Sequence, residues 1–189
     1  MSWRVFIITC IVATMPGLGN ARAWGQMIVH AMTGTVRSVS ATELTATASG
    51  VTETFTLEGK SHPSLDFDKV LRDDSTPAAD FHKSDAFAVI YYYGVAATQT
   101  AVAVKDLGAG PFERTTGTVT HFDKHTHRLT VTTTEGQTEN FIVSDKAVID
   151  TGMSVKSGRK MDPPSGSHIL VIAVSENGAQ TIVYLRLLG

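Results

Sequence analysis

Apolar and polar positions alternate with a period of two along much of this chain. "TELTATAS" (42–49) and "RLTVTTT" (128–134) interleave apolar or small residues with polar ones and are rich in threonine and valine. This is the signature of half-buried strands. "TETFTLE" (52–58) places Phe55 and Leu57 on one face, and "TENFIVS" (138–144) does the same with Phe141 and Val143. "AFAVIYYYG" (86–94) and "HILVIAV" (168–174) are apolar with little alternation, which predicts strands buried on both faces for part of their length. "QTAVAVKDL" (99–107) and "QTIVYLRLL" (180–188) read as further strands. Gly50 and Gly136 mark tight turns. "SLDFDKVLRDD" (64–74), with Ser64 as a candidate N-cap, predicts a helical turn.

The same pattern occurs twice. "TGTV" stands at 33–36 and again at 116–119. Downstream, Leu44 matches Leu129, Gly50 matches Gly136, Phe55 matches Phe141 and Lys60 matches Lys146. Residues 84–108 align without a gap to 165–189, sharing Gln99 with Gln180, Thr100 with Thr181 and Val102 with Val183. An internal duplication predicts two copies of one structural unit. The first unit is expected over 24–108, a linker containing Gly110 and Pro111 over 109–115, and the second unit over 116–189.

Val36 and Val39 are both apolar but three apart, so strict alternation cannot bury both. A bulge between them resolves this. Gly34 and Gly117, early in the first strand of each copy, permit a sharp bend there. One strongly bent strand that pairs on both sides is how small barrels close. About five strands per copy, with a loop or short helix after the third, predict an all-β chain of two tandem small OB-like β-barrel repeats. A flat sandwich is the other arrangement this pattern allows.

The pattern G-x-V-x-x-V, then L-T-x-T, then F-x-V or F-x-L, is carried by Gly34, Val36, Val39, Leu44, Phe55 and Leu57, and again by Gly117, Val119, Leu129, Phe141 and Val143. It resembles the exported bacterial family of the domain of unknown function 5666, in two copies. "PAADFHKSD" (77–85) and "DPPSGSH" (162–168) depart from that family's usual turn before the fourth strand. The resemblance implies a small β-barrel and an exported protein, and it carries over no catalytic residues.

Residues 1–23 read as a secretory signal peptide. Arg4 precedes the apolar run "VFIITCIVATM", Pro16 and Gly17 break it, and Ala21-Arg22-Ala23 offers a small-x-small cleavage site. The run is shorter than the about 20 apolar residues that span a bilayer. A periplasmic or secreted chain beginning at Trp24 is therefore expected. The chain's one cysteine, Cys10, falls inside the leader, which leaves the mature part without disulfides or a thiol nucleophile. The full chain carries 16 basic and 18 acidic residues. With no basic stripe, nucleic-acid binding is not expected.

The strongest chemical lead is "HFDKHTHRL" (121–129). The second copy is two residues longer than the first between its Val and Leu, and His121, His125 and His127 lie in that stretch. On a strand, His125 and His127 would project to one side, with His121 approaching from the neighbouring strand and Asp123 adding an oxygen. Neutral imidazoles in that arrangement suit zinc, copper or nickel. A solvated polar turn is the alternative. Tyr91, Tyr92 and Tyr93 suggest either a stacking platform or packing, with Tyr92 shielding the barrel exterior. Asp66, Asp68, Asp73 and Asp74 lack the spacing of a calcium loop. No nucleophile elbow, phosphate loop or cysteine pair is present.

A non-enzymatic exported module is therefore expected. It would bind a small ligand or an envelope protein in a groove between the copies. The alternatives are a transition-metal protein built on the three histidines, or a structural module docking partners through strand edges.

Overall fold

The structure is a computed structural model and describes residues 28–57, 68–95, 98–176 and 178–188. The expected signal peptide, Ser64 and Asp66 lie outside the described residues.

The first copy contains β1 (His30–Val39), β2 (Glu43–Ala48), β3 (Val51–Leu57), the helix α1 (Lys69–Asp73), the short β4 (Thr76–Pro77), β5 (Phe87–Tyr93) and β6 (Thr100–Asp106). The second contains β7 (Phe112–Asp123), β8 (Arg128–Thr133), β9 (Thr138–Asp150), β10 (Val155–Ser157), β11 (His168–Glu176) and β12 (Ala179–Leu188). In the first, β1, β2, β3, β6 and β5 follow one another and β5 returns to β1. The closing contact between β3 and β6 is parallel, through Thr56 with Thr100 and Leu57 with Ala101. The second closes identically through β7, β8, β9, β12 and β11, with β9 parallel to β12 over five residue pairs. These are two five-stranded barrels of the expected OB-like kind, each with one extra short strand.

The expected bulges are present. Register slips between Val36 and Ser38 in β1, and between Val119 and His121 in β7. Val36 is fully buried and Val39 packs against the same core. The glycines act nearby but differently. A Cβ at Gly34 would lie 2.8 Å from Thr47 O, and one at Gly117 would lie 2.4 Å from Thr132 O. Glycine lets the second strand of each barrel pass across the first at a distance no side chain allows. The helix is capped by Asp68, whose carboxylate accepts from Val70 N–H at 3.0 Å, so the N-cap lies four residues past Ser64.

Each barrel has its own apolar core. Val36, Leu44, Phe55, Ile90 and Tyr92 fill the first, and Val119, Leu129, Phe141, Ile169 and Ile182 fill the second. A third buried cluster joins them: Ala31, Leu71, Val89, Tyr91 and Val102 from the first copy meet Val148, Leu170, Ile172 and Tyr184 from the second. This explains the continuous apolar runs of β5 and β11. Alternate residues fill the barrel, and those between them face the other copy. Among the described residues, no helix is long and apolar enough to cross a membrane.

Candidate ligand groove

The barrels meet along their buried faces but part at one side of the linker, leaving a groove of about 550 Å³. That falls within the roughly 300–1,000 Å³ typical of small-ligand sites. One wall is β1 at Thr33–Thr35 with the β2–β3 turn from Thr47 to Gly50. The other wall is the linker from Gly108 to Gly110 with Phe112 and Arg114 of β7. Phe87 and Phe112, one from each barrel, pack with ring centroids 4.7 Å apart and line the groove. Glycine, alanine, serine and threonine make up most of the rest, which keeps the space open.

Among the described residues, two charged side chains line the groove. Asp85 is exposed and pairs with Arg37 at 3.4 Å. Arg114 donates to the hydroxyl of Ser49 across the groove, and no carboxylate pairs with it among the described residues. A guanidinium satisfied only by a neutral hydroxyl keeps much of its capacity for an anion. Sequence reasoning missed Arg114, Phe87 and Phe112. Phe112 and Arg114 lie in residues expected to be linker, yet β7 begins at Phe112.

Away from the groove, polar contacts also join the two copies. Asp74 accepts from Lys105 at 2.9 Å and from Lys146 of the second copy at 3.0 Å. Partial burial pushes its carboxyl up, but the two lysines outweigh this and hold it below the usual carboxylate range. Asp68 accepts from Ser157 through both main-chain N–H and hydroxyl, and pairs with Lys160 at 3.1 Å. Burial raises its carboxyl, and the Ser157 N–H, Lys160 and the Val70 N–H together bring it below the ordinary value. The acidic loop is thus a clamp between barrels. Among the described residues, its carboxylates do not converge on an ion.

The histidine hairpin has a geometry the strand pattern did not anticipate. β7 ends at Asp123 and β8 begins at Arg128, so His125 and His127 sit in the turn, not on a strand. His127 has φ +51°, and strand alternation does not apply to the pair. Asp123 organises the turn, accepting from His125 N–H at 2.8 Å and from the Thr126 hydroxyl at 2.7 Å. Its carboxyl is held low first by that hydroxyl and then by the main-chain donors. His127 Nδ1 lies 3.5 Å from Asp145, while His121 is exposed beside Thr130 of β8. Among the described residues, no group of three or more His, Cys, Asp or Glu side chains is placed to hold a metal ion.

The three tyrosines alternate as expected, with the faces exchanged. Tyr92 points into the first barrel, 5.2 Å from Phe55, and Tyr91 and Tyr93 face the second copy. The Tyr91 ring is fully buried, so it offers no stacking platform. An apolar run buried on both sides does not declare which face is interior.

No family model matches the chain, and no curated protein matches it. Among solved structures, the chain is similar to a crystal structure of Ag(I)CusF at 10% identity and a TM-score of 0.33, over 41% of this chain and 99% of that one. It is also similar to apo-CusF from Escherichia coli at 10% identity and a TM-score of 0.33, over 44% of this chain and 95% of that one.

Proposed function

We propose that this chain is an exported, non-enzymatic binding module whose ligand seats in the groove between its two barrels. The observation that carries this reading is the groove itself, about 550 Å³, walled by both copies and combining an aromatic pair with Arg114, which donates to the Ser49 hydroxyl. Ligand sites favour such junctions, where a rigid apolar surface meets a few placed polar groups. The lining supports recognition rather than catalysis. Among the described residues, no histidine lines the groove, and its carboxylate, Asp85, is exposed and paired with Arg37.

The test is amide chemical-shift mapping of the purified protein against a panel of short peptides, oligosaccharides and organic acids. Ligands of the groove shift the amides of Thr33, Phe112 and Arg114. Those shifts vanish in Ala109→Trp, which places an indole at an exposed linker position on the groove wall. Ligands that shift amides elsewhere, or bind Ala109→Trp equally well, would overturn the reading.

A further inference from the structure

The two copies share Thr-Gly-Thr-Val, and the structure treats its first threonine differently in each. In β7, Val119 N–H donates to Ser167 O at 2.9 Å. Antiparallel ladders alternate, so odd-numbered residues of β7 bond towards β11 and even-numbered ones face the opposite edge. On that opposite edge Thr116 O accepts from Thr134 N–H at 3.1 Å. In β1, Val36 N–H donates to Ala86 O at 2.9 Å, so Ala31, Thr33 and Thr35 face away from β5. Ala31 is capped there by Asp150 and Tyr184 of the second copy. Thr35 is in register with Thr47 of β2.

Thr33 lies between these two, and no main-chain bond reaches it on that edge among the described residues. Ser49, which faces it from the β2–β3 turn, has φ +50° and holds Arg114 on its hydroxyl instead. The same alternation turns the main-chain groups of Phe112 and Arg114 away from β11, and the ladder from β7 to β8 starts only at Gly117. Thr33, Phe112 and Arg114 all line the groove. It is therefore bordered by open main-chain groups on two strand edges, at Thr33 of β1 and at Phe112 and Arg114 of β7.

We propose that the groove takes a short extended peptide carrying a carboxylate, a reading that rests on the groove being the ligand site. Main-chain N–H and C=O groups of the peptide complete the open edges at Thr33 and at Phe112–Arg114, as in recognition by strand addition. The carboxylate replaces the Ser49 hydroxyl on Arg114, because an ionised acceptor forms the stronger bond. An apolar side chain beside it packs on Phe87 and Phe112. A sugar fits this lining less well, since it supplies no alternating N–H and C=O groups at strand spacing.

The test pans the purified protein against random peptides of about ten residues, made with a free C-terminus and with a C-terminal amide. Selected peptides are expected to carry a carboxylate next to an apolar residue and to shift the Thr33, Phe112 and Arg114 amides. Enrichment confined to the free-terminus format identifies the terminal carboxylate, and enrichment in both identifies an acidic side chain. Arg114→Gln weakens binding at least about tenfold while Arg114→Lys keeps most of it, and methylating the peptide's main-chain nitrogens abolishes it.

Selected peptides without a carboxylate, or binding that Arg114→Gln leaves intact, would overturn the inference. Failure to select any peptide, with other panel compounds still shifting the groove amides, removes the peptide and leaves the groove as a site. Peptides that shift amides only outside the groove overturn both readings.

Discussion

Tyr184 of β12 donates its hydroxyl to Ala31 O of β1 at 2.8 Å, across 153 residues of sequence, and both residues are buried. On the same stretch of edge, Ala31 N–H donates to Asp150 Oδ2 at 3.1 Å. An open strand edge is a liability, and here the second barrel covers part of it with side chains. The duplication therefore brings more than a second barrel. Each copy supplies surface that the other needs.

Tyr184→Phe removes that donor and leaves the Ala31 carbonyl buried and unsatisfied. A loss of roughly 1–3 kcal/mol is expected, read from the midpoint of guanidinium unfolding. A midpoint equal to wild type would show that the bond contributes nothing net.

Alanine substitutions at the two crossing glycines should rank by the closeness of the opposing carbonyl. Gly117→Ala meets Thr132 O and Val131 Cγ1, at 2.4 and 2.6 Å, and costs more than Gly34→Ala at 2.8 Å. Overpacking of this kind costs about 1–3 kcal/mol. Reversed order in thermal unfolding would mean that strand crossing is not what requires glycine.

Acid should weaken the junction between the barrels. The Asp68 and Asp74 carboxyls both titrate below their ordinary 3.8 in the folded state. A depressed carboxylate contributes stability that is present above its unfolded pKa and lost as pH falls through the folded one. Stability measured from pH 6 downwards should therefore fall below about pH 5 and continue falling past 3.8. Asp74→Asn should start lower and show a shallower acid limb. An unchanged acid limb in this variant would remove Asp74 from the account.

The hairpin geometry predicts no metal-dependent stability. Unfolding curves with EDTA, zinc, copper or nickel should superimpose, for wild type and for the His121/His125/His127→Ala variant. Metal bound at 100-fold excess over Kd would add about 2.7 kcal/mol. A rise of that size, lost in the variant, would make the turn a site.

The second copy's extra residues were visible as a count between Val119 and Leu129, but their conformation was not. Closing that hairpin puts His127 at φ +51°, and only the closed turn reveals it. The tyrosine run shows the same limit. Alternation separated Tyr92 from its neighbours, but interior and exterior could not be distinguished while both faces were apolar. The groove was expected only as a space between copies. Arg114 gave no signal, because it matters through Ser49, 65 positions away.

By itself the sequence determined most of the strands, the duplication and the bulge after Val36. These follow from periodicity and local sterics over a few residues. Only the tertiary structure decided that the barrels share a buried face, which tyrosine enters which core, and that Thr33 is left open where Thr116 is closed. Those outcomes depend on surfaces far apart in the chain, whose complementarity exists only once both barrels have formed.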